Sequence, residues 1–335
     1  MPTIDGSYME GGGQILRTSV ALSALTGLPC RITHIRANRP TPGLKAQHLM
    51  GLKAAALICH AETKGMQIGS TEVEFSPQKI HGGDYTIEVG TAGSVTLVLQ
   101  VLTPLCLYAD STVTLTVTGG TDVKWSPSAS YFKNVFCFLL KKMNANIEFT
   151  VKKYGFYPKG GGCILAVIHP WKDRKSLFLT ERGPVQKVDV DSVASSLLKK
   201  AKVAERQSEA FQRVLSGDPG TVRNNYVDSF NPGSSFCAHA YCEHTILGAD
   251  SLGERGKPAE KVGEEAAYVL KREIESQGAL DSHMADQIIP YLALAGGRVS
   301  VSHVSEHTRT NIWVCQQFLD TKISVSGNII TADSD

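Results

Sequence analysis

Apolar and polar positions along this chain follow two periods, and glycine-rich turns mark most of the changeovers. Runs expected to form half-buried strands cover residues 30–35, 72–75, 85–89, 111–118 and 297–301. Runs with apolar residues three and four apart predict helices over 18–25, 46–58, 95–105, 129–143, 288–295 and 312–319. Clusters at Gly11-Gly12-Gly13, Gly82-Gly83, Gly90-Thr91-Ala92-Gly93, Gly119-Gly120 and Gly160-Gly161-Gly162 punctuate them. The runs at 72–75 and 85–89 read as strand, Gly-Gly turn, strand. Recurrence of strands, glycine turn and helix implies internal repeats of one α/β unit, roughly 70–80 residues long.

After Pro170 the rhythm changes. A strand at 185–190, a polar helix at 197–215, a strand at 223–230, a hairpin-like block at 234–249 and a charged helix at 258–277 read as a separate compact unit. The first rhythm then resumes at 281–287, as it would after an insertion into the last repeat. The expected division is a main, catalytic repeat domain of 1–180 and 279–335, with 181–278 as a small α/β insert.

Composition narrows the class without naming a function. The 335 residues are 42% hydrophobic and 20% charged, as in an ordinary globular protein. A net charge of +2 gives no global basic field, so any RNA contact must come from a local patch. The longest apolar segment, 95–109, is interrupted by Gln100 and Pro104 and is too short to span a bilayer. No basic segment followed by an apolar run stands at the N-terminus, and eight scattered cysteines include no C-x-x-C pair. Reduced thiols and a cytoplasmic location, with no membrane partner, are the expectation.

Candidate chemistry concentrates near the C-terminal end. Between His303 and Asn311 the chain carries two histidines, a glutamate, an arginine, two threonines and an asparagine, where a strand feeds a helix. Hydroxyl and amide groups would surround the helix start, where free N–H groups favour anions. His307, expected just before that start, would be a neutral nucleophile beside a bound phosphate. At the other end, Glu10 and Arg17 flank the three glycines, which let backbone approach an anion closely. The glycine spacing is neither that of a Walker A loop nor that of a dinucleotide fingerprint. The loop 36–48 offers Arg36, Arg39 and Lys45, with Gln47 and His48 opening the next helix, and two of these cations are arginines suited to bidentate phosphate binding. A zinc reading of Cys237, His239, Cys242 and His244 is disfavoured, because one extended strand would send the two pairs to opposite faces.

Seven ordered motifs resemble the RNA 3'-terminal phosphate cyclases. They are E-G-G-G-Q-I-L-R (10–17), R-x-x-R-P-x-P-G-L-K-x-Q-H (36–48), G-x-A-G-S-x-T-L-V-L-Q (90–100), G-G-T-D (119–122), G-F-Y-P-x-G-G-G (155–162), A-D-Q (285–287) and H-T-x-T-N (307–311). The resemblance spans nearly the whole chain except residues 180–278, which look like the family's variable insert. It implies an α/β (α+β) fold of repeated βαβαββ-type units, each laying two helices on a four-stranded sheet. It also implies conversion of an RNA 3'-phosphate to a 2',3'-cyclic phosphate, using ATP and a divalent cation (Mg2+ or Mn2+). The family's nucleophilic histidine matches His307, which would pass through a histidine–AMP intermediate and an RNA(3')pp(5')A end. Gln100 and the segment His283, Met284, Ala285, Asp286 and Gln287 match ATP-contacting positions; Glu10 and Asp286 match the acidic metal side. Arg17, Arg36 and Arg39 fit phosphates of ATP or of RNA, with Lys45, Gln47 and His48 beside them. Some members carry an aromatic residue where this chain has His283, so Tyr131 and Phe132 are alternatives for stacking on adenine. The apolar surfaces of such repeats would support a homodimer.

Two competing classes remain on the sequence. A cyclase-like RNA-binding factor of ribosome assembly would lack the nucleophilic histidine, whereas H-T-x-T-N is complete here. An enolpyruvyl transferase would share the repeat architecture but not this motif set.

Overall fold

The computed structural model describes residues 1–215 and 219–333. Three times the chain builds the same four-stranded sheet. In the first, Thr3–Asp5 pairs in parallel with Cys30–Thr33, Val73–Ser76 runs antiparallel beside it, and Glu62–Lys64 closes the edge. Gly83–Glu88, Val113–Gly119, Gly162–Ile168 and Ile147–Lys153 repeat that order. So do Leu177–Leu179, Gly297–Ser300, Ile329–Ala332 and Ile323–Ser326. The parallel first pair requires a helical crossover, and the two helices of each unit supply the apolar face that covers the sheet. The fold class is therefore the α/β repeat architecture expected from the sequence.

One continuous core joins the three units, from Leu22, Ile32 and Leu52 through Leu99, Val117 and Leu139 to Val299 and Val314. Helix Val95–Cys106 lies at its centre, against helices Gly13–Thr26 and Ala46–Ile58, and every residue of it but Gln100 is buried. A lone glutamine on such a helix must find a polar cleft, and Gln100 does.

Between Leu177–Leu179 and Ser282–Gln287 the chain makes a fourth sheet, in the order Pro219–Val227, Val185–Ser195, Ser234–Cys242, Ile246–Leu252. Helices Val203–Val214 and Ala259–Glu275 pack on one another and on this sheet, around Val190, Phe211, Phe236, Leu247, Val262 and Leu270. Its topology differs from that of the three repeats.

Several local expectations change. Val73–Ser76 and Gly83–Glu88 are not a hairpin; one ends the first sheet and the other begins the second. The helix expected over 129–143 contains a π-helical stretch, Phe132–Phe136. Residues 197–215 split at Lys202, whose φ of 50° is left-handed, into a 3-10 turn at Ser196–Ala201 and the helix Val203–Val214. Cys237 and His239 do face one another, Sγ to Nε2 at 3.3 Å, inside the strand Ser234–Cys242. No helix among the described residues is long and apolar enough to cross a membrane.

Candidate active site

Helices Gly13–Thr26 and Glu306–Phe318 lie side by side and run the same way. Two hydrogen bonds fix that register. His307 Nδ1 meets Gln14 Oε1 at 2.5 Å, and one turn further on Thr18 Oγ1 donates to Asn311 Oδ1 at 2.7 Å; both pairs are 293 residues apart in sequence. Parallel alignment puts both helix N-termini, with their outward N–H groups and partial positive charge, at one place. Ser305 caps the later helix by accepting from the Thr308 N–H at 3.2 Å, while no side chain caps the earlier one. His307 is thus inside the first helical turn rather than before it.

The three glycines are what allow the close approach. Gly11 has a left-handed φ of 58°, and a Cβ on Gly13 would collide with His48 Nε2 and stand 3.2 Å from Arg17 Nη1. Glu10 folds back so that its Oε2 accepts the Gly12 N–H at 2.9 Å and lies 3.7 Å from His307 Nδ1.

Gln14 joins His307 to an acid. Its Nε2 donates to Asp286 Oδ2 at 2.9 Å, so its carbonyl oxygen must be the end that faces His307. The Nδ1 of His307 therefore carries the proton, and Nε2 keeps a free lone pair. Asn311 completes the frame by donating to the Asp286 carbonyl at 2.8 Å. Partial burial lowers the His307 pKa; Asp286 opposes this, and Arg17 and Arg39 reinforce it. Burial raises that of Asp286, against His307, His283 and Arg17. At neutral pH a half-exposed imidazole is held uncharged, with one nitrogen presented outward.

A model of the RNA 3'-terminal phosphate cyclase family matches residues 8–325. The chain belongs to that family. The cyclase of Pyrococcus furiosus is 45% identical over 331 residues, covering 98% of this chain and 96% of the relative. That of Methanosarcina barkeri is 46% identical over 328 residues, covering 97% and 96%. A solved EPSP synthase from Acinetobacter baumannii, at 13% identity and a TM-score of 0.25 over 66% of this chain and 56% of its own, is too slight a likeness to argue from.

The motifs that mark this cyclase-family chain do not all place side chains at one point. Arg17, whose charge acts on His307, lines a narrow cleft of about 30 Å³ together with Gln14, Gln100, Asp286, Gln287 and Asn311. Burial lowers its pKa to about 10, with Asp286 opposing, so it stays charged at pH 7. The cleft leaves room for about one water-sized group, not a nucleoside. Of its polar side chains, Gln14 is the one that hydrogen-bonds His307.

The loop 36–48 divides its labour. Arg36, in a left-handed conformation at φ 56°, donates from Nη1 to the carbonyls of Thr41 and Gly43, at 2.7 and 2.8 Å. That holds the loop. Arg39 reaches across to form an ion pair with Glu10. The backbone N–H of Lys45 donates to His48 Nδ1 at 3.3 Å, leaving His48 Nε2 protonated and aimed at Gly13. Burial, then the charges of Arg17, Arg36 and Lys45, push the His48 pKa down to about 3. Gln47 accepts the Ser94 N–H at 3.2 Å.

In the segment 283–287 the roles also separate. Met284 and Ala285 are fully buried and offer no side chain to a ligand. His283 is exposed and stands edge-on to Tyr131, centroids 6.0 Å apart. Crowding costs it solvation, but the carboxylates of Asp250, Asp281, Asp286 and Glu273 outweigh that and raise its pKa. Tyr131 and Phe132 are completely buried and present no face to an adenine. Gln14, Thr18 and Asp281 were not singled out from the sequence. Asp281 accepts from Tyr131 Oη at 2.6 Å, the Gly248 N–H at 2.8 Å and the N–H groups of His283 and Met284 at 3.1 and 2.9 Å.

Three carboxylates surround His307: Glu10 at 3.7 Å, Asp286 behind Gln14, and the adjoining Glu306. No group of three or more His, Cys, Asp or Glu side chains among the described residues is arranged to hold a metal ion. One or two carboxylates fit a Mg2+-type cation that takes its remaining oxygens from phosphates and water.

Proposed function

We propose that this chain converts RNA 3'-phosphate ends to 2',3'-cyclic phosphates with ATP, through AMP carried on His307. The observation that carries the reading is the Asp286–Gln14–His307 relay, which leaves Nε2 as the free nucleophilic atom. Nε2 forms a bond to the α-phosphorus of ATP as the bond to the β-phosphate oxygen breaks and pyrophosphate leaves. Nδ1 keeps its proton, so the imidazole becomes cationic, and the carboxylates of Glu10 and Asp286 stabilise that charge. An oxygen of the RNA 3'-phosphate next takes the adenylyl group, breaking the N–P bond and returning His307 to neutrality. The ribose 2'-OH then attacks the activated phosphorus, loses its proton and expels AMP. A phosphate monoester has no good leaving group of its own, and adenylation supplies one.

Arg17 and the Nε2–H of His48 stand where two helix N-termini converge and would bind phosphate oxygens there. A Mg2+ or Mn2+ ion beside Glu10, with Asp286 the second carboxylate in reach, would neutralise charge on the transferring phosphoryl group. Exposed His283 is the side chain of its segment available to an adenine. We also infer that residues 181–278 form an insert domain in the third repeat and that the protein works in the cytoplasm. Its partner is RNA bearing a 3'-phosphate, and the arrangement needs no second subunit although a homodimer is compatible with it. A second reading, an RNA-binding assembly factor without catalysis, does not explain the relay behind His307.

The test is incubation of a 3'-phosphorylated oligoribonucleotide with ATP and Mg2+ or Mn2+. The reading expects an end that resists phosphatase. An end that stays phosphatase-sensitive with every common divalent cation contradicts it.

A further inference from the structure

Glu10 stands beside His307 because of the loop it rides on. Residues 6–12 carry it from the strand Thr3–Asp5 to the helix Gly13–Thr26. Met9, immediately before it, has a left-handed φ of 47°. Such backbone is uncommon in a residue other than glycine, and it persists only where the surroundings over-determine it. Met9 itself contributes little to that, since its side chain is 46% exposed. The fixing contacts come from its neighbours.

Tyr8 supplies the first anchor. Its ring lies on that of Trp313, with centroids 4.2 Å apart and planes 21° from parallel, and both rings pack against the core. Trp313 belongs to the helix Glu306–Phe318, about 9 Å along the axis from His307. The stack therefore ties the loop to the same helix that carries the histidine. A second anchor comes from the loop 36–48. The Asn38 amide donates to the carbonyls of Ser7 and Met9, at 3.1 and 3.2 Å, and so grips the backbone on either side of Tyr8. Its neighbour Arg39 forms the ion pair with Glu10. Inside the loop, the Gly11 N–H donates to the Tyr8 carbonyl at 3.0 Å, closing a turn around Met9 and Glu10.

We propose that Tyr8, Trp313 and Asn38 are positioning residues for adenylation, which hold the loop so that the Glu10 carboxylate stays beside His307. Glu10 Oε2 lies 3.7 Å from His307 Nδ1, the nitrogen that keeps its proton as the imidazole becomes cationic. A carboxylate fixed there stabilises that charge without reorganising, whereas one on a slack loop must first be brought back. The three residues act through the loop rather than on the reacting atoms. The inference rests on the adenylation reading above.

The experiment measures single-turnover adenylation at saturating labelled ATP, together with amide hydrogen exchange over residues 6–12. Tyr8→Ala, Trp313→Ala and Asn38→Ala should each slow adenylation about tenfold and speed exchange of the Gly11 and Gly12 amides. Trp313→Phe keeps a ring for Tyr8 to stack on and should recover most of the rate. Because the two rings act as a pair, the Tyr8→Ala/Trp313→Ala double variant should fall within about twofold of the slower single variant. Should Trp313→Ala fail to fold, Tyr8→Ala and Asn38→Ala, both on loops, decide the matter. Wild-type rates and exchange in those two variants overturn the proposal, as do losses that multiply in the double variant. If wild type takes no AMP, the proposed function falls instead, while the exchange comparison still decides whether the stack holds the loop.

Discussion

Gln14 Oε1 lies 2.5 Å from His307 Nδ1, and the other end of the same amide donates to Asp286. That one glutamine fixes which imidazole nitrogen is free. Gln14→Leu preserves the volume but removes the acceptor, so His307 can turn or take the other tautomer. Transfer of AMP to the protein should then slow by on the order of 100-fold or more, as when a tautomer-fixing partner is removed elsewhere. Single-turnover adenylation kinetics measure this, and the far-UV circular dichroism should match wild type.

A lowered His307 pKa has a definite sign in a pH profile. In the proposed mechanism His307 must be neutral to attack, so adenylation should fall as pH drops through the folded-state pKa. The acid limb should centre below the ordinary histidine value of about 6.5. Arg39→Gln removes a nearby cation and frees the Glu10 carboxylate, and both changes favour the imidazolium. That variant should move the acid limb to higher pH, whatever it does to the plateau rate.

His48 makes the fold acid-sensitive. Its folded pKa of about 3 lies below the unfolded value, so the unfolded chain binds the extra proton. Stability is complete above pH 6.5, and this group withdraws it as pH falls toward 3, at on the order of 1 kcal/mol per pH unit. His48→Gln should flatten the dependence of urea midpoint on pH across that window by about one proton's worth.

Asp281 ties together three elements that sequence alone does not connect. Removing it leaves the Tyr131 hydroxyl and the Gly248 N–H without their partner, and uncaps the helix Ser282–Gln287. Asp281→Ala should destabilise the protein by about 3 kcal/mol, since buried donors are left unpaired. Chemical denaturation measures it. A smaller loss for Tyr131→Phe, which removes one donor and strands one acceptor, would agree.

Much of this was legible in the sequence. Helix 46–58 was placed to the residue, and 95–105 within one, because their apolar spacing is dense and their ends carry clear signals. Glu62–Lys64 was missed, being a polar edge strand with no apolar alternation, and Thr3–Asp5 was too short to show a period. Glycine clusters revealed the repeats but misled at Gly82-Gly83, where the turn joins two sheets instead of two strands of one. His307, Glu10, Arg17 and Asp286 stood out through their motifs. Gln14 did not, since a glutamine in a first helical turn reads as a solvated residue. Its partner is 293 residues away, a pairing no local pattern announces. That the carbonyls of Thr41 and Gly43 turn toward Arg36 Nη1 is likewise invisible in the sequence.

The measurement that bears most directly on the mechanism is denaturing electrophoresis after incubation with α-labelled ATP and Mg2+ or Mn2+, with wild type and His307→Ala side by side. The account predicts one covalent label, labile to acid and stable to alkali as a phosphoramidate is, and absent from the variant. An unlabelled wild type, or a label of equal strength in His307→Ala, would contradict it.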